Sequence, residues 1–238
     1  MKNAIVIGAS SGIGKEVARL MAKDGYKVGI TGRRTALLKE LKEENPDRYI
    51  VKSFDNTDLP TAIENLDAFA AEMGTIDVVF ISSGVGNVNM ELDFEIEKQT
   101  IMTNVVGFTN IVDWSVKFFI KQGYGHLAAV TSIAAVRGRK EAPAYFATKA
   151  YGKSYLEAMR GLVKQNPKIR ISDIRPGFVD TDLVKGNKYL MFLIPLNKAS
   201  RRIYKAISHR KQVAYITKRW AIIAFIMKIT PKWLYDRI

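Results

Sequence analysis

The chain of 238 residues contains no cysteine and only two histidines, and these absences exclude several kinds of chemistry. Without cysteine, neither disulfide bonds nor thiol catalysis are possible. His126 and His209 are far apart in the sequence, so a histidine-based metal site is not expected. We therefore predict a protein that binds no metal.

Long apolar segments and a signal peptide are also missing. The first ten residues lead directly into a predicted strand and a glycine turn, so we expect a cytoplasmic protein. The longest uncharged apolar runs, residues 189–196 and 220–227, have eight residues each. A membrane-spanning helix needs about 20, so no span is predicted.

Acidic residues are nearly absent from the last part of the chain, although the net charge of the whole is +14. Residues 1–184 hold 24 Lys and Arg against 22 Asp and Glu, whereas residues 185–238 hold 13 against one. The basic character therefore belongs to the C-terminal part. It is not interleaved with a recognisable nucleic-acid-binding module, so no nucleic-acid partner is expected.

What the sequence does contain is a repeated alternation of short apolar strands and amphipathic helices. This alternation predicts an α/β fold with a doubly wound parallel sheet. An apolar content of 47% over this length is compatible with one domain. We assign the domain to residues 1–217 and describe residues 218–238 as a C-terminal extension.

A glycine-rich turn follows the first predicted strand. Gly8, Gly12 and Gly14 form the pattern G-x-x-x-G-x-G just before a predicted helix. Because these residues lack side chains, a pyrophosphate can approach the backbone amides at the positive end of that helix. The turn is a candidate dinucleotide site, although glycine turns also join strands to helices without any ligand.

The end of the second predicted strand bears on the choice of cofactor. Dinucleotide-binding folds often place an acid there for the ribose hydroxyls of NAD. This chain has Gly32 followed by Arg33 and Arg34. Guanidinium groups pair well with a 2′-phosphate, so the sequence favours NADP over NAD. The alternative is a pair of solvated arginines in a loop.

Two further polar residues have open roles in the sequence. Asp55, after the third predicted strand, is compatible with a hydrogen bond to adenine or with a cap on the helix that follows. Asn104 lies within a long helical stretch, where asparagine is unfavourable and is often simply solvated. The residues alone do not decide either case.

The segment from Ser132 to Lys149 contains the candidate catalytic centre. Tyr145 and Lys149 are four residues apart in a predicted helix, so both project from one face. A nearby ammonium stabilises a phenolate, and a phenol tuned in this way can exchange a proton with a substrate oxygen. Ser132 would hydrogen-bond the same oxygen. A lone Tyr-x-x-x-Lys pattern also arises by chance and on helix surfaces.

Taken together, these features resemble the short, single-domain branch of the short-chain dehydrogenase/reductase family over residues 3–184. The resemblance implies a Rossmann-type fold and hydride transfer between nicotinamide and a carbonyl or alcohol. It implies a tetrad in which Tyr145 is the general acid or base, Ser132 positions the carbonyl, and Lys149 lowers the pKa of Tyr145 and binds the nicotinamide ribose. Asn104 would hold a helix distortion and a water.

The resemblance also implies a set of cofactor contacts along the carboxyl edge of the sheet. The residues are Gly8, Ser10, Ser11, Gly12, Ile13, Gly14, Arg33, Arg34, Asp55, Asn56, Ser83, Gly84, Tyr145, Lys149, Pro176, Gly177, Val179 and Thr181. Two departures from the family pattern affect the cofactor loops. Ile7 stands where the family usually has threonine, and residues 81–84 replace the usual Asn-Asn-Ala-Gly.

The segment after Thr181 is unusually apolar. Residues 183–200 occupy the position of the family's substrate loop and include Tyr189, Leu190, Met191, Phe192, Leu193 and Ile194. Such a loop suggests a lipophilic substrate, or packing on the core or a partner subunit. A 3-oxoacyl thioester reductase is the alternative enzyme, and a non-catalytic nucleotide-sensing or membrane-bound scaffold is the alternative outside enzymes.

The C-terminal extension combines an apolar helix with cations and aromatic side chains near its ends. These residues are Lys218, Arg219, Trp220, Lys228, Lys232, Trp233, Tyr235 and Arg237. The composition favours peripheral attachment to the inner membrane surface, and packing in the core or in a subunit interface is the alternative. The family resemblance further suggests a homodimer or homotetramer formed through helices near 104–122 and 145–164.

Overall fold

The computed structural model describes residues 1–184 and 190–235. In this part of the chain, seven parallel strands form a single sheet in the order β3-β2-β1-β4-β5-β6-β7. The strands are β1 (Asn3–Ile7), β2 (Lys27–Gly32), β3 (Tyr49–Ser53), β4 (Val78–Ile81), β5 (Gly125–Val130), β6 (Ile169–Pro176) and β7 (Val213–Ile216). The predicted doubly wound α/β fold is confirmed.

Helices cover both faces of this sheet. They are α1 (Gly12–Lys23), α2 (Thr35–Glu43), α3 (Leu59–Met73), α4 (Phe94–Ile101), α5 (Phe108–Gln122), α6 (Pro143–Leu162), α7 (Leu196–Ser208), α8 (Lys218–Ile229) and α9 (Lys232–Tyr235). No helix of the described residues has the length and apolar character that crossing a bilayer requires.

Strand β1 is buried along its whole length because helices pack on both of its faces. Ala4 and Val6 belong to the apolar cluster that includes residues of α1 and α7. Ile5 and Ile7 point the other way, into the cluster that includes residues of α3 and α5. The uninterrupted apolar run near the start of the sequence therefore forms a central strand of the sheet.

The chain reverses its direction across the sheet between β1 and β4. Strand β1 pairs with β2 on one side and with β4 on the other. In open parallel sheets, ligands bind in the crevice beyond the carboxyl ends of strands at such a switch point. The glycine turn after β1 and residues 82–86 after β4 lie at this edge.

The stretch predicted as one or two helices around Asn104 is continuous but distorted. Between α4 and α5, residues Met102–Gly107 adopt a π-helix, in which hydrogen bonds span one residue more than in an α-helix. A β-carbon on Gly107 would lie 2.5 Å from the carbonyl oxygen of Asn56, so glycine permits close packing there. The predicted distortion at Asn104 is present.

The predicted substrate loop of residues 183–200 is shorter in the structure. Helix α7 begins at Leu196, because Ala199 and Ile203 turn an apolar face to the core from this point onward. Residues 182–184 form a short 3-10 helix. Tyr189 of the predicted loop lies outside the described residues, as does Arg237 of the C-terminal extension.

Candidate active site

Tyr145 and Lys149 lie on the first turns of α6, on the side facing the ends of β4 and β5. The Lys149 ammonium is 5.7 Å from the centroid of the Tyr145 ring. Lys149 is buried, and its Nζ donates a hydrogen bond of 3.3 Å to the carbonyl oxygen of Val130, the last residue of β5. The predicted juxtaposition of phenol and ammonium is therefore present.

The Tyr145 ring packs directly against the backbone of Gly86 in the segment after β4. A β-carbon built on Gly86 would lie only 2.2 Å from Cδ2 of the ring. Real β-carbons do not approach other atoms so closely, so the position of the phenol depends on glycine at residue 86. Sequence motifs gave no signal for this residue.

Burial dominates the ionisation of both groups. It raises the pKa of Tyr145, and the Ser132 hydroxyl acts in the opposite direction. Burial lowers the pKa of Lys149 to about 8, and the charge of Asp173 opposes this shift. Burial thus sets the direction of the Tyr145 shift, and the lowering of the Tyr145 pKa by Lys149 stays a prediction.

Ser132 lies at the end of β5 in an extended conformation and is buried. Its Oγ accepts a hydrogen bond of 3.0 Å from the backbone amide of Ala134 and so caps a short 3-10 helix, Ile133–Ala135. The capping bond fixes the side-chain rotamer. The Ser132 hydroxyl also hydrogen-bonds Tyr145, so the two side chains are adjacent.

Asn104 joins the π-helix to the segment after β4. Its amide oxygen accepts from the Val85 amide at 2.9 Å, and its Nδ2 donates to the Val85 carbonyl at 2.7 Å and to the Thr148 hydroxyl at 3.1 Å. A small cavity of about 10 Å³ borders Asn104, Thr148 and Lys149. This volume is close to the minimum that one water requires.

The glycine turn after β1 is tightly packed. A β-carbon on Gly14 would lie 2.0 Å from the Gly8 carbonyl oxygen, and one on Gly8 would lie 2.7 Å from the Ser83 amide nitrogen. Gly8 also has a φ of 86°, which favours glycine. Ile13, at the start of α1, packs on the apolar core. The turn therefore brings backbone amides to the surface without side chains above them.

Arg34 reaches back from the end of β2 to this turn. Its Nε and Nη2 donate to the Ser10 hydroxyl at 3.2 and 3.0 Å, and Nη2 also bonds the Ser11 hydroxyl. Arg33 is half exposed and pairs with the Asp55 carboxylate at 3.6 Å. The Arg34 guanidinium and the two serine hydroxyls therefore lie together at the edge of the turn, and Arg33 follows beside Asp55.

Asp55 does not cap α3, so one of its two predicted roles is wrong. The cap is Asp58, whose carboxylate accepts from the Thr61 amide, while Asp55 accepts from the amide and hydroxyl of Thr57. Asp55 remains partly exposed beside Arg33. Its alternative role, a contact to adenine, stays a prediction.

The residues after β3 and β4 meet above the sheet. The buried Asn56 donates from Nδ2 to the Ser83 hydroxyl at 3.0 Å. A β-carbon on Gly84 would lie 3.3 Å from both the Asn104 Oδ1 and the Lys149 Nζ. The replacement of the usual family residues here therefore leaves a closely packed turn beside Lys149.

Strand β6 ends at Pro176, and the segment that follows it from Gly177 onward approaches the glycine turn. The Thr181 methyl group would lie 3.5 Å from a β-carbon on Gly12. Val179 is buried, and it forms an isolated bridge to Ile194. The structure thus brings all the predicted site residues to one edge of the sheet.

The structure adds several residues that sequence reasoning missed. Asp173, in β6, is fully buried and bonds both the Thr131 hydroxyl and the Arg175 guanidinium. Trp220, in α8, packs on Gly177, where a β-carbon would lie 2.0 Å from the indole. An acid inside a predicted buried strand was the available signal for Asp173. No local pattern indicated the contact of Trp220.

Comparison with known proteins agrees with this geometry. The family model described as short chain dehydrogenase matches residues 2–189. An uncharacterised oxidoreductase of Myxococcus xanthus is 30% identical over 99% of this chain and 95% of its own length. A 3-oxoacyl-[acyl-carrier-protein] reductase of Chlamydia muridarum is 31% identical over 78% of this chain and 77% of its own.

Solved structures have the same fold. A short-chain dehydrogenase from Burkholderia cenocepacia, determined in complex with NADP, superimposes with a TM-score of 0.84. The two sequences are 20% identical, and the alignment covers 100% of this chain and 98% of the other. At this identity, the similarity concerns the fold.

Proposed function

The chain belongs to the short-chain dehydrogenase/reductase family of NAD(P)-dependent oxidoreductases, and we propose that it is an NADP-dependent reductase or dehydrogenase of a lipophilic carbonyl/alcohol pair. The observation that carries the proposal is Tyr145, held against Gly86 with the Lys149 ammonium 5.7 Å from its ring. The preference for NADP has separate support in Arg33 and Arg34.

The described residues fit a dinucleotide. The turn at Gly8 and Gly14 has no room for side chains, so a pyrophosphate would meet backbone amides at the start of α1. Arg33, Arg34 and the Ser10 hydroxyl would hold a 2′-phosphate through charge-assisted hydrogen bonds. When bound, the nicotinamide supplies or accepts a hydride.

The protein's own contribution is the handling of the proton. In the reductive direction, the Tyr145 hydroxyl donates its proton to the carbonyl oxygen, which Ser132 holds with a second hydrogen bond. The ammonium of Lys149 stabilises the phenolate that remains. Asn104 keeps residues 84–86 in place through its bonds to Val85, and the small cavity beside Lys149 provides a path for reprotonation.

The test is the oxidation of NADPH, with NADH in parallel, against aliphatic ketones and 3-oxoacyl thioesters of increasing chain length. We expect faster turnover with NADPH and with longer chains. Tyr145→Phe should reduce turnover by about 10²- to 10⁴-fold and change the Kd of NADPH far less. Tyr151→Phe is the control, because this hydroxyl on the same helix only bonds Thr109.

Intact turnover in Tyr145→Phe would contradict the mechanism. Tight NADPH binding without turnover of any substrate would instead support the nucleotide-sensing or scaffold alternative. Activity restricted to thioesters would favour a 3-oxoacyl thioester reductase, the activity named for the Chlamydia relative. The described residues 190–235 contain no acid, and such a basic surface would suit an acidic carrier protein.

The lipophilic substrate is supported by exposed apolar side chains close to the segment that approaches the glycine turn. Met191, Phe192 and Leu193 are 61%, 48% and 42% exposed. Exposing such an apolar cluster to water does not stabilise a monomer, whereas an apolar substrate would bind to the cluster. We propose that these residues meet the substrate.

We also propose that the enzyme works in the cytoplasm at an anionic membrane surface, to which α8 attaches it. Helix α8 is apolar on both sides: Trp220 and Ala224 face the core, while Ile222, Phe225, Ile226 and Ile229 face outward. Lys218, Arg219, Lys228 and Lys232 surround this outer face and are exposed. Anionic lipid complements that charge, whereas a second copy of the same face would be repelled.

Vesicle flotation tests this attachment with phosphatidylcholine alone and with added phosphatidylglycerol. Phe225 and Ile226 are 62% and 52% exposed; replacing both with serine should abolish binding to the anionic vesicles. Leu162→Ser, at an equally exposed position on α6, is the control. Equal flotation of all three proteins, or a dimer that the double variant dissociates, would overturn the proposal.

Helices α5 and α6 are the proposed oligomer interface. Tyr155 of α6 bonds Asp113 of α5, and Tyr151 bonds Thr109, so the two helices form one joined surface. Light scattering of the purified protein should give the mass of a dimer or tetramer. A monomer at micromolar concentration would contradict this part of the proposal.

A further inference from the structure

The start of the C-terminal extension, described here for residues 218–235, is fixed to the segment that follows β6. Trp220 is only 5% exposed. Its indole fills the space beside Gly177 and meets the edges of the Phe178 and Phe192 rings, with centroids 5.6 and 6.2 Å away. The extension therefore touches both ends of the segment that carries Thr181.

The far end of the extension is fixed by Arg137. Its Nε donates to the Met227 carbonyl oxygen at 3.1 Å, and its Nη2 bonds the Thr230 carbonyl oxygen. Carbonyl groups in the last turn of a helix lack partners within the helix, and a cation there is favourable. The guanidinium also lies 5.0 Å from the centroid of the Tyr235 ring. One side chain therefore binds three residues of the extension.

These two attachments join the extension to two different segments beside the proposed active site. Arg137 belongs to the segment that joins Ser132 to Tyr145, and Trp220 contacts the segment that approaches the glycine turn. We propose that Arg137 is a positioning residue that holds the C-terminal extension as one wall of the substrate site, and thereby sets which carbonyl compounds the enzyme accepts. The selectivity part rests on the proposed oxidoreductase function.

Arg137 adds charged hydrogen bonds to an attachment that also includes the packing of Ile223 and Met227 on the core and a hydrogen bond from the Tyr235 hydroxyl to the Gly138 carbonyl. Among its described residues, only Trp220 and Ala224 are buried. Segments with few buried contacts open more readily than the core does. Hydrogen bonds from a charged group are stronger than neutral ones, so their loss should raise the population of the detached extension about tenfold or more.

The first experiment does not depend on activity. Arg137→Met keeps an apolar side chain but removes the donors, and Lys140→Met removes a cation from an exposed position in the same segment. Trypsin should cleave at Arg219 and Lys228 about tenfold faster in Arg137→Met than in the parent protein or in Lys140→Met. Arg137→Lys keeps the charge but lacks the planar guanidinium group, so its cleavage rate should be intermediate. Equal cleavage rates would overturn the role of Arg137.

The second experiment measures selectivity. In Arg137→Met, KM for long-chain carbonyl substrates should rise about tenfold, while kcat with short substrates and the Kd of NADPH stay unchanged. If the extension detached in Arg137→Met and KM nevertheless stayed unchanged for substrates of every chain length, the extension would not be a wall of the substrate site. If the parent protein turned over no carbonyl compound, the proposed function and the selectivity part would fail together, and the trypsin result would still decide the role of Arg137.

Discussion

The two sides of the active site are built from different interactions. On the proposed cofactor side, Gly8, Gly14 and Arg34 act through close backbone contacts and hydrogen bonds to Ser10. On the proposed substrate side, Trp220 and Phe192 act through apolar and aromatic contacts between segments that are far apart in the chain. The first side depends on local sequence and polar geometry, and the second on long-range packing. A substitution on one side should therefore impair the binding on that side and leave the binding on the other side unchanged.

The largest effect is expected where both sides meet, at Gly86. In Gly86→Ala, the new methyl group would lie 2.2 Å from the Tyr145 ring and must displace it. A misplacement of about 1 Å can cost 10²-fold in rate, so kcat should fall by roughly that factor. Steady-state kinetics measures the change.

Gly138→Ala is the matched control, because a β-carbon at Gly138 would meet nothing within 4 Å. The thermal transition should be followed in both variants. If Gly86→Ala retained the parent kcat, the phenol would not depend on this contact, and the Tyr145 position described above would be wrong.

The next largest effect concerns the cofactor side alone. Arg34→Leu removes the donors to Ser10 and one of the two guanidinium groups proposed for the 2′-phosphate. The KM for NADPH should rise about 10- to 100-fold, since a hydrogen bond to a charged group contributes about 1.5–3 kcal/mol. The KM for NADH and the order of preference among substrates should stay the same. An equal loss with both cofactors would contradict the phosphate assignment.

A smaller effect should appear on the substrate side alone. Phe192 has a φ of 54°, unusual for a bulky residue, and packs between Trp220 and the guanidinium of Arg219. Phe192→Ala should raise KM for long-chain substrates a few-fold and leave NADPH binding unchanged, because about 1 kcal/mol of apolar contact is lost. Leu162→Ala, which truncates an exposed apolar side chain on α6, is the control. A change in NADPH affinity would show that the two sides are coupled.

The smallest effect is a shift of the pH profile. Burial sets the Lys149 pKa at about 8, and Asp173 holds it from falling further. Turnover that needs the ammonium should decline as pH rises through about 8. In Asp173→Asn the pKa falls, so this decline should move to lower pH.

Tyr215→Phe is the control for Asp173→Asn. It removes the hydroxyl that accepts from Arg175 in the same buried group and changes no charge. Its alkaline limb should match that of the parent protein. An unchanged limb in Asp173→Asn would show that the buried acid has no influence on Lys149.

Most of the fold and the polar half of the site could be predicted because their signals are local. The alternation of strands and helices, the glycine turn and the four-residue spacing of Tyr145 and Lys149 are each visible within short windows. The rise of the Tyr145 pKa through burial could not be predicted in this way, because burial is a property of the whole fold.

The contacts that the sequence did not reveal join distant residues. Gly86 meets Tyr145, Gly177 meets Trp220, and Arg137 meets the end of α8. In each pair, one residue belongs to no recognisable motif, and its role becomes visible only from its contact in the folded structure. No pattern within a window of the chain encodes such pairs.

The packing of Trp220 on the core has a consequence for folding during synthesis. Trp220 and Ala224 belong to an apolar cluster that also includes Ala4 and Val6 of β1, so residues from distant parts of the chain must come together to complete this cluster. Domains generally fold as units during synthesis. Here the cluster is completed only after α8 has been synthesised, and until then it stays open on the side beside Gly177, where a chaperone would bind.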